Sequence, residues 1–410
     1  MTVEPAPARI LGSRRWLLVI GIMVLAANLR CSITSVGPVL DFIAADLHMS
    51  SGTAGLLTSI PLLGFAAFSP IAPLVAARWG MERTLWAAVA LLGCAIVLRS
   101  VPAPGMIWAG TVGLGGAIAF INVLLPPLLK RDFPNRIGQL TGIYSAVQGG
   151  VAALASGIAV PMAGADGQAW RLSLGIWAGL ALIGLAVFAP QLAKRSAPPT
   201  GATGIETVGA AARYRSPWGS ALAWQVTIFM GVQSMMFFVT AAWVPSIEQA
   251  MGGSATRAGW HLFLFQLVGL LTSLLTSTLI HRVRDQRGLC IAGTLCSAVE
   301  FTGILLFPQA MVVWMIFAGL GSGSCIVLGL SLFGLRTEHH RQAAALSGMA
   351  QSIGYLIAAC GPTMFGLLHD LGSGWTLPIT AIEVCLAVQL VMATLAGRDR
   401  FIGVRRVTGS

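Results

Sequence analysis

The feature that most restricts the fold is a series of twelve apolar segments that occupies nearly the whole chain. Most are long enough to cross a bilayer as helices of about 20 residues, and a helix satisfies its own backbone polar groups in lipid. The segments lie near 16–42, 53–77, 84–100, 106–129, 138–160, 171–192, 220–244, 257–280, 289–307, 310–335, 343–368 and 375–396. This pattern predicts an all-α protein with twelve transmembrane helices in a lipid bilayer.

Composition and charge placement favour the same class. Hydrophobic residues make up 56% of the chain and charged residues 10%, whereas soluble domains carry roughly 25% charged residues. With a cytoplasmic N-terminus, every Lys and Arg falls on the cytoplasmic side except Arg30, Arg99, Arg171 and Arg257. The net charge of +11 therefore reflects topology. The positive-inside rule places both termini in the cytoplasm of a multi-pass inner-membrane protein, and nucleic acid is not an expected partner.

The two halves of the chain repeat each other. Gly-Leu-Gly at 113–115 recurs at 319–321, and Leu-Thr-Gly at 140–142 recurs as Leu-Ser-Gly at 346–348, both at an offset of 206 residues. Because each half holds six segments, equivalent helices keep the same orientation. The repeat therefore predicts two six-helix halves related by a pseudo-two-fold axis along the membrane normal.

The same repeat divides the chain into domains. We predict an N-terminal six-helix half at 1–192 and a C-terminal six-helix half at 220–410, called the N half and the C half below. Residues 193–219 between them are polar and contain Pro198 and Pro199. This composition is typical of a flexible tether, here a cytoplasmic linker.

Arg30 is the residue that most needs an explanation. It lies fourteen residues after Trp16, roughly 21 Å along a helix and past the middle of a bilayer of about 30 Å. An arginine at this depth costs roughly 2.5–3.5 kcal/mol on insertion scales unless it faces water or a partner. Its planar fork suits a carboxylate, a nitro group or another planar anion. The alternative is a structural arginine that is bonded to carbonyls or to an acidic residue of another helix.

Motifs of other chemistries are absent from the sequence. All seven cysteines lie within predicted spans, so neither disulfides nor a zinc site is expected. The chain has no phosphate-binding Gly-x-x-x-x-Gly-Lys loop, no His-Glu-x-x-His and no Gly-x-Ser-x-Gly elbow. The first segment runs to Phe42, too long for the apolar region of a signal peptide. We therefore predict no enzyme, no metal and no cofactor, and transport energy from an ion or solute gradient.

Two loops resemble a known signature. The stretches at 73–83 and 279–287 are similar to the cytoplasmic loop signature of major facilitator transporters, although Ala77 replaces the usual acidic residue. The resemblance implies gating loops that contain Arg78, Gly80, Arg83, Arg282 and Arg287.

A more specific resemblance involves the first segment. Asn-Leu-Arg at 28–30, followed by Thr-Ser-Val-Gly-Pro at 34–38, is similar to the helix 1 motif of the cyanate and 2-nitroimidazole transporter branch. The likeness extends to 126–134, 233–245 and 348–355. It implies the major facilitator fold, with a substrate site between the two halves near the midplane.

The predicted substrate-binding residues combine Arg30 with polar side chains on helices expected to line that site: Arg30, Gln233, Tyr144, Gln148, Gln351, Tyr355, Asn122 and Asn28. Gln233 is the counterpart of Arg30 in the C half. The Tyr and Gln of segments 5 and 11 are four residues apart in each segment, so each pair shares one helical face. Bonding between helices is the alternative for these pairs and for Asn122. Asn28 lies about 200° around the helix from Arg30 and more readily braces a neighbouring helix.

Four titratable residues are candidates for ion coupling. Glu300 and Glu383 are acids within spans, which are functional suspects by default, although a structural role on peripheral helices is an equal alternative. Asp41 and His261 lie near the outer ends of their segments, and a histidine can titrate near neutral pH. Protons are therefore a candidate co-substrate, with no one residue singled out as the carrier.

These features predict a monomeric secondary transporter that works by alternating access. Its substrate would be a small anionic or polar solute: cyanate-like, nitro-heterocycle-like or another organic anion. An exporter of drugs or toxic compounds with the same fold is the alternative. A passive anion channel and a membrane sensor are alternatives of another class.

Overall fold

The computed structural model describes residues 8–133, 136–164, 166–193, 216–283, 285–338, 340–372 and 374–403. The α-helices are α1 (Ala8–Thr34), α2 (Leu40–Asp46), α3 (Ser51–Phe68), α4 (Ala72–Trp79), α5 (Met81–Ser100), α6 (Met106–Asp132), α7 (Ile137–Ala163), α8 (Trp170–Gly175), α9 (Trp177–Phe188), α10 (Ala221–Ala250), α11 (Ala255–Leu279), α12 (Arg287–Leu306), α13 (Met311–Leu335), α14 (His340–Gly372) and α15 (Thr376–Ala396). Most of the linker predicted at 193–219 lies outside the described residues.

The twelve predicted spans are confirmed: the described residues contain twelve helical spans long and apolar enough to cross a membrane. The first, Trp16–Asp46, combines α1 and α2, and the sixth, Trp170–Leu192, combines α8 and α9. The segment predicted at 53–77 is too long, because α3 ends at Phe68 and the short α4 follows. Pro70 has no N–H to continue the helix.

The first span is interrupted one turn beyond Arg30. α1 ends at Thr34, and Pro38 has no N–H to offer the carbonyl of Thr34. Neighbouring helices supply donors instead: Arg99 of α5 donates to the carbonyl of Ser32 at 2.9 Å, and Ser156 of α7 donates to the carbonyl of Thr34 at 3.1 Å. Two other spans of the N half therefore fix the break.

The repeat seen in the sequence extends to side-chain contacts. In the N half, Arg131 at the end of α6 donates to Glu82 of α5 at 2.6 Å. In the C half, Arg336 after α13 donates to Gln286 just before α12. Glu82 and Gln286 are 204 residues apart, and Arg131 and Arg336 are 205 apart. Equivalent arginines thus tie equivalent helix pairs together, as the predicted pseudo-two-fold symmetry requires.

The bundle has two ends that differ in charge. One end, called the basic end, carries Arg78, Arg83, Lys130, Arg131, Arg136, Arg282, Arg287, Arg336, Arg398 and Arg400. The other end, called the opposite end, contains the turns near 47–50, 101–105, 166–169, 251–254, 307–310 and 374–375. This division follows directly from the alternating direction of the spans.

Glycines bring the two halves together toward the opposite end. A Cβ at Gly37 would collide with the carbonyl oxygen of Ala241 in α10, and a Cβ at Gly366 of α14 would collide with the carbonyl oxygen of Ser51. Gly55 of α3 meets the backbone of α14 in the same way. Backbone therefore packs directly against backbone across the interface, the arrangement that small residues permit in membrane helices.

Hydrogen bonds between the halves accompany these close approaches. The cross-half pairs in the described residues include Gln266 to the carbonyl of Ala152 at 3.2 Å, Thr363 to Ser59 at 2.8 Å, the N–H of Gly52 to Asp370 at 2.8 Å, and Ser246 to Asp41 at 2.7 Å. They run from the middle of the bundle to the opposite end. The halves are therefore joined there.

The basic end is more open. Gly142 of α7 and Gly348 of α14, which are equivalent positions of the repeat, have no neighbouring atom within 4 Å of an added Cβ. Arg30 keeps part of its surface accessible although it lies deep in the bundle. Packing is therefore looser at these glycine positions of the basic end than at Gly37 and Gly366.

We expect Gly37→Ala to lower the melting temperature of the purified protein by several degrees, because overpacking costs roughly 1–3 kcal/mol. Thermal unfolding in detergent, followed by tryptophan fluorescence, measures this. Gly348→Ala is the matched control and should leave the melting temperature unchanged or slightly higher, since its Cβ meets no atom within 4 Å. Equal melting of both variants would contradict the close packing of α1 against α10.

Candidate substrate site between the two halves

The site is built around Arg30, which extends from α1 toward the C half. Its guanidinium carbon lies 4.9 Å from the ring centroid of Phe237 in α10, a cation–π contact. The hydroxyls of Tyr144 in α7 and Tyr355 in α14 are close enough to interact electrostatically with it. Four helices from both halves therefore meet at this arginine.

The groups around Arg30 are uncharged. In the described part of the chain, no hydrogen bond or ion pair involves the Arg30 guanidinium, and the ring that lies against it is that of Phe237. A guanidinium offers five N–H donors in a fixed fork. The fork therefore has donors to give to a ligand, without an acidic side chain that competes for them.

Aromatic rings form much of the wall. Phe65 of α3 packs edge-to-face on Tyr355 with centroids 5.4 Å apart, and Phe237 lies 5.1 Å from Phe238 and 5.5 Å from Phe265 of α11. We did not single out Phe237 from sequence, because phenylalanines in membrane helices usually serve packing. Its position one turn after Gln233, on the same helical face, is the signal that could have identified it.

Gln233 lies near this wall but uses its amide locally. The side chain is buried, and its Nε2 donates to Ser234 Oγ at 2.8 Å. Its place on the Phe237 face of α10 puts it one turn closer to the basic end than Phe237. A contact between Gln233 and substrate stays a prediction.

The Tyr and Gln pairs lie on α7 and α14, as the spacing predicts. Tyr144 and Tyr355 are the two hydroxyls near Arg30. Gln351 donates to Ser347 Oγ one turn away at 2.8 Å, and Gln148 is half-buried on α7. Asn122 is half-buried on α6. Substrate contacts of these residues remain predictions.

Asn28 points away from Arg30. Its side chain is fully buried and donates to the carbonyl of Val24 at 2.8 Å and to that of Leu180 in α9 at 3.2 Å. This placement supports the interpretation of Asn28 as a brace between the first and sixth spans.

The two intramembrane acids each accept from a threonine. Glu300 of α12 is buried, and Thr240 of α10 donates to it at 2.7 Å. Glu383 of α15 is half-buried and accepts from Thr302 at 2.8 Å. Glu300 is therefore linked to the helix that carries Phe237, whereas Glu383 bonds to a neighbouring peripheral helix.

The other two coupling candidates lie at the opposite end. Asp41 of α2 accepts from Ser246 of α10 at 2.7 Å and so joins the halves. His261 of α11 bonds to Glu248 at 2.7 Å, and Arg257 donates to the same carboxylate at 2.7 Å. We missed Glu248 from sequence. It is almost fully buried although it lies at the end of α10.

The gating-loop residues have different surroundings. Arg78, Arg83 and Arg282 are exposed, and Gly80 links α4 to α5 with φ of +90°, a backbone conformation that favours glycine. Arg287 bonds to Asp285 at 2.6 Å, and these hydrogen bonds hold the pKa of the Asp285 carboxyl below its usual value. At the position of the missing acid, Ala77 is exposed.

Comparisons with known proteins agree with this architecture. The profile of the Major Facilitator Superfamily matches residues 18–359. The chain is 40% identical to the 2-nitroimidazole transporter of Escherichia coli, over 95% of this chain and 98% of that protein. It is 25% identical to the cyanate transport protein CynX of Escherichia coli, over 94% of this chain and 97% of that protein.

A third relative matches a shorter stretch. A protein of Thauera aromatica named as an anionic 4-hydroxy-benzoate permease is 46% identical over 122 residues, which cover 29% of this chain and 69% of that protein. The resemblance to the cyanate and 2-nitroimidazole transporter branch, inferred above from short motifs, is thereby confirmed.

Proposed function

The chain belongs to the Major Facilitator Superfamily, and we propose that it is a secondary transporter of a small planar anion that Arg30 binds between the two halves. The observation that carries this proposal is the guanidinium itself. It lies deep in the bundle beside Phe237, Tyr144 and Tyr355, and no carboxylate contacts it in the described residues. An ionisable residue at that depth marks a functional site by default, and an anion is the ligand that a guanidinium would bind there.

The wall of the site favours a ring-bearing anion. Aromatic faces at Phe237, Phe65 and Tyr355 offer stacking and edge contacts to a planar ring, while the fork of Arg30 takes a carboxylate or nitro group. The names of the relatives give 2-nitroimidazole, cyanate and 4-hydroxy-benzoate as their substrates. Cyanate would use the fork alone, so an aromatic carboxylate or a nitro-heterocycle fits this chain better.

In alternating access, the site between the halves would open to one side of the membrane at a time and carry the bound substrate across. The contacts at the opposite end and the open glycine positions at the basic end support a state that admits solute from the basic end. Positive-inside bias would make the basic end cytoplasmic, with both termini on that side. In this proposal the transporter is a monomer, and the linker at 193–219 joins its two six-helix halves.

Coupling to protons is part of the proposal. Glu300 is the candidate that is connected to the site, because Thr240, which donates to it, lies three residues after Phe237 on α10. Adding or removing a proton at Glu300 would change that hydrogen bond and bias the position of α10. Asp41 and His261 also bond to side chains of α10, but to Ser246 and Glu248, which are nine and eleven residues after Phe237. Glu383 bonds to Thr302 of α12.

Exchange in proteoliposomes tests the transporter proposal against the other classes. A carrier exchanges external labelled 4-hydroxybenzoate for internal unlabelled 4-hydroxybenzoate faster than it equilibrates an empty vesicle. A channel only equilibrates the label, and a sensor moves none. Either of these two results would overturn the proposal.

We expect Arg30→Lys to reduce exchange of 4-hydroxybenzoate by at least roughly tenfold while membrane expression is kept. The variant retains the charge but loses the bidentate fork, which supplies paired charge-assisted hydrogen bonds. The measurement is initial exchange rate per mole of reconstituted protein. Arg171→Lys, at a half-buried arginine of the same half that is paired with Asp46, is the matched control. Exchange at the native rate by Arg30→Lys would rule out the clamp.

Phe237→Leu separates ring-bearing anions from inorganic ones. Loss of the aromatic face is expected to weaken 4-hydroxybenzoate binding by roughly three- to tenfold, since an aromatic pair contributes about 0.5–1.5 kcal/mol beyond burial. Cyanate affinity should change less, because cyanate has no ring to stack. Tryptophan fluorescence titration of both ligands measures the two affinities. Equal losses for both ligands would mean that Phe237 only positions Arg30.

Asp370→Asn tests whether the contact between Asp370 and the start of α3 keeps the two halves closed at the opposite end. The Asp370 carboxylate accepts from the N–H groups of Ser51 and Gly52 at the start of α3, at 3.1 and 2.8 Å. A helix N-terminus favours a negative charge, so the neutral amide should loosen this cross-half contact and raise the population that is open at the opposite end. Spin labels near Leu47 and Leu371 would then report longer distances than in the native protein. Asp166→Asn, at a turn of the same end, is the control. Unchanged distances in Asp370→Asn would show that the contact between Asp370 and the start of α3 does not keep the halves together.

A further inference from the structure

Arg99 is a second deeply buried arginine that the transport site does not include. It occupies the last turn of α5 and is 3% exposed. Its Nη1 donates to the carbonyl of Ser32 at 2.9 Å. Its Nε and Nη2 are buried, and neither finds a hydrogen-bond partner in the described residues.

The carbonyl of Ser32 needs this donor because of the break in the first span. In an uninterrupted helix it would accept from the N–H of Val36, but that N–H bonds to the carbonyl of Ile33 at 3.2 Å. Arg99 donates to the Ser32 carbonyl in place of that backbone N–H. A neutral donor could do the same, as Ser156 does for Thr34, so this hydrogen bond alone gives no reason for a buried charge.

No acidic side chain compensates that charge among the described residues. Cys31, which precedes the serine that Arg99 contacts, is fully buried and carries a thiol. The described acids of the N half are engaged elsewhere: Asp46 pairs with Arg171, Glu82 and Asp132 pair with Arg131, Asp41 accepts from Ser246, and Asp166 accepts from the N–H of Gln168. The interior of the N half therefore holds two guanidinium groups, those of Arg30 and Arg99, without a partner carboxylate.

The two arginines lie on opposite sides of α1. Arg30 faces Phe237 in the C half, and Ser32, which receives Arg99, is two residues on and therefore about 200° around the helix. The width of one helix, about 10–12 Å with side chains, separates them. Arg99 thus cannot touch a ligand held by Arg30, but its field reaches that ligand through a medium of low dielectric.

We infer that Arg99 is a charge determinant of substrate selectivity: its positive field, acting across α1, strengthens binding of anions at Arg30 over neutral analogues. The inference rests on the proposed function of Arg30 as an anion site. At an effective dielectric constant of about 20, a unit charge about 12 Å away changes the affinity for a monoanion roughly tenfold. The same charge leaves the affinity for an uncharged isostere nearly unchanged.

The test compares 4-hydroxybenzoate with 4-hydroxybenzamide, its uncharged isostere, in fluorescence titrations of the purified full-length protein. In Arg99→Gln, which keeps a donor for Ser32, we expect a three- to tenfold loss of affinity for the anion and little change for the amide. Arg99→Lys should restore the ratio of the two affinities. Arg171→Gln, which removes a half-buried charge of the same half that is paired with Asp46, should leave the ratio at its native value.

A second variant keeps the test decisive if Arg99→Gln does not fold. Cys31→Asp leaves the arginine in place and adds a compensating carboxylate beside it, so it should lower the affinity ratio in the same way. An unchanged ratio in folded Arg99→Gln or in Cys31→Asp would overturn the inference. So would a parallel loss for both ligands, because that is what a purely structural arginine produces.

The failure of the anion site itself gives a different result. Arg30→Gln, measured in the same titrations, should abolish the preference for 4-hydroxybenzoate over its amide. If that variant keeps the preference, the proposed function fails, whatever Arg99 does. If it loses the preference while Arg99→Gln keeps it, only the role of Arg99 is wrong.

Discussion

The rest of the structure depends on the interruption of the first span just beyond Arg30. A broken helix in a membrane exposes backbone carbonyls that lipid cannot satisfy, so protein groups must supply the donors. Ser156 donates to the carbonyl of Thr34, and Gln266 of the C half bonds to Ser156 in turn. One chain of hydrogen bonds therefore runs from the broken helix through α7 to α11. The break, the position of Arg30 and the contact between the halves are determined together.

The interface between the halves shows how these contacts can be both close and reversible. Backbone packs on backbone at Gly37 and Gly366, where small residues allow dispersion contacts without interlocking side chains. The polar pairs that accompany them consist of one or two hydrogen bonds each, such as the two that Asp370 accepts from the N–H groups of Ser51 and Gly52. Neither kind of contact requires a large rearrangement to separate. Such an interface suits the proposed alternating access, in which the two halves would part during each cycle.

The sequence predicted the fold almost completely, because the length of the hydrophobic segments and the internal repeat can both be read without knowing any contact between helices. It failed where a contact depends on two helices at once. Pro70 shortens the second span, although the apolar run continues past it. In the sequence, Phe237 resembles an ordinary packing residue, and Glu248 resembles an exposed residue at a helix end. Only the tertiary arrangement shows that Phe237 faces Arg30 and that Glu248 is buried beside His261. Arg30 could be identified from the sequence, because a charged residue inside an apolar segment is unusual whatever its tertiary contacts are.

The aromatic surroundings of Arg30 fit the proposed anion site, which would have to release its substrate as well as bind it. An acidic partner would hold the guanidinium by a strong charge pair, and an incoming anion would have to displace it. A phenylalanine face stabilises the cation by roughly 0.5–2 kcal/mol and offers no lone pairs to the N–H donors. An anion can therefore bind without breaking an ion pair, and after it leaves, the ring at 4.9 Å still stabilises the charge. A carrier that must load and empty its site in every cycle needs this moderate stabilisation of the empty state.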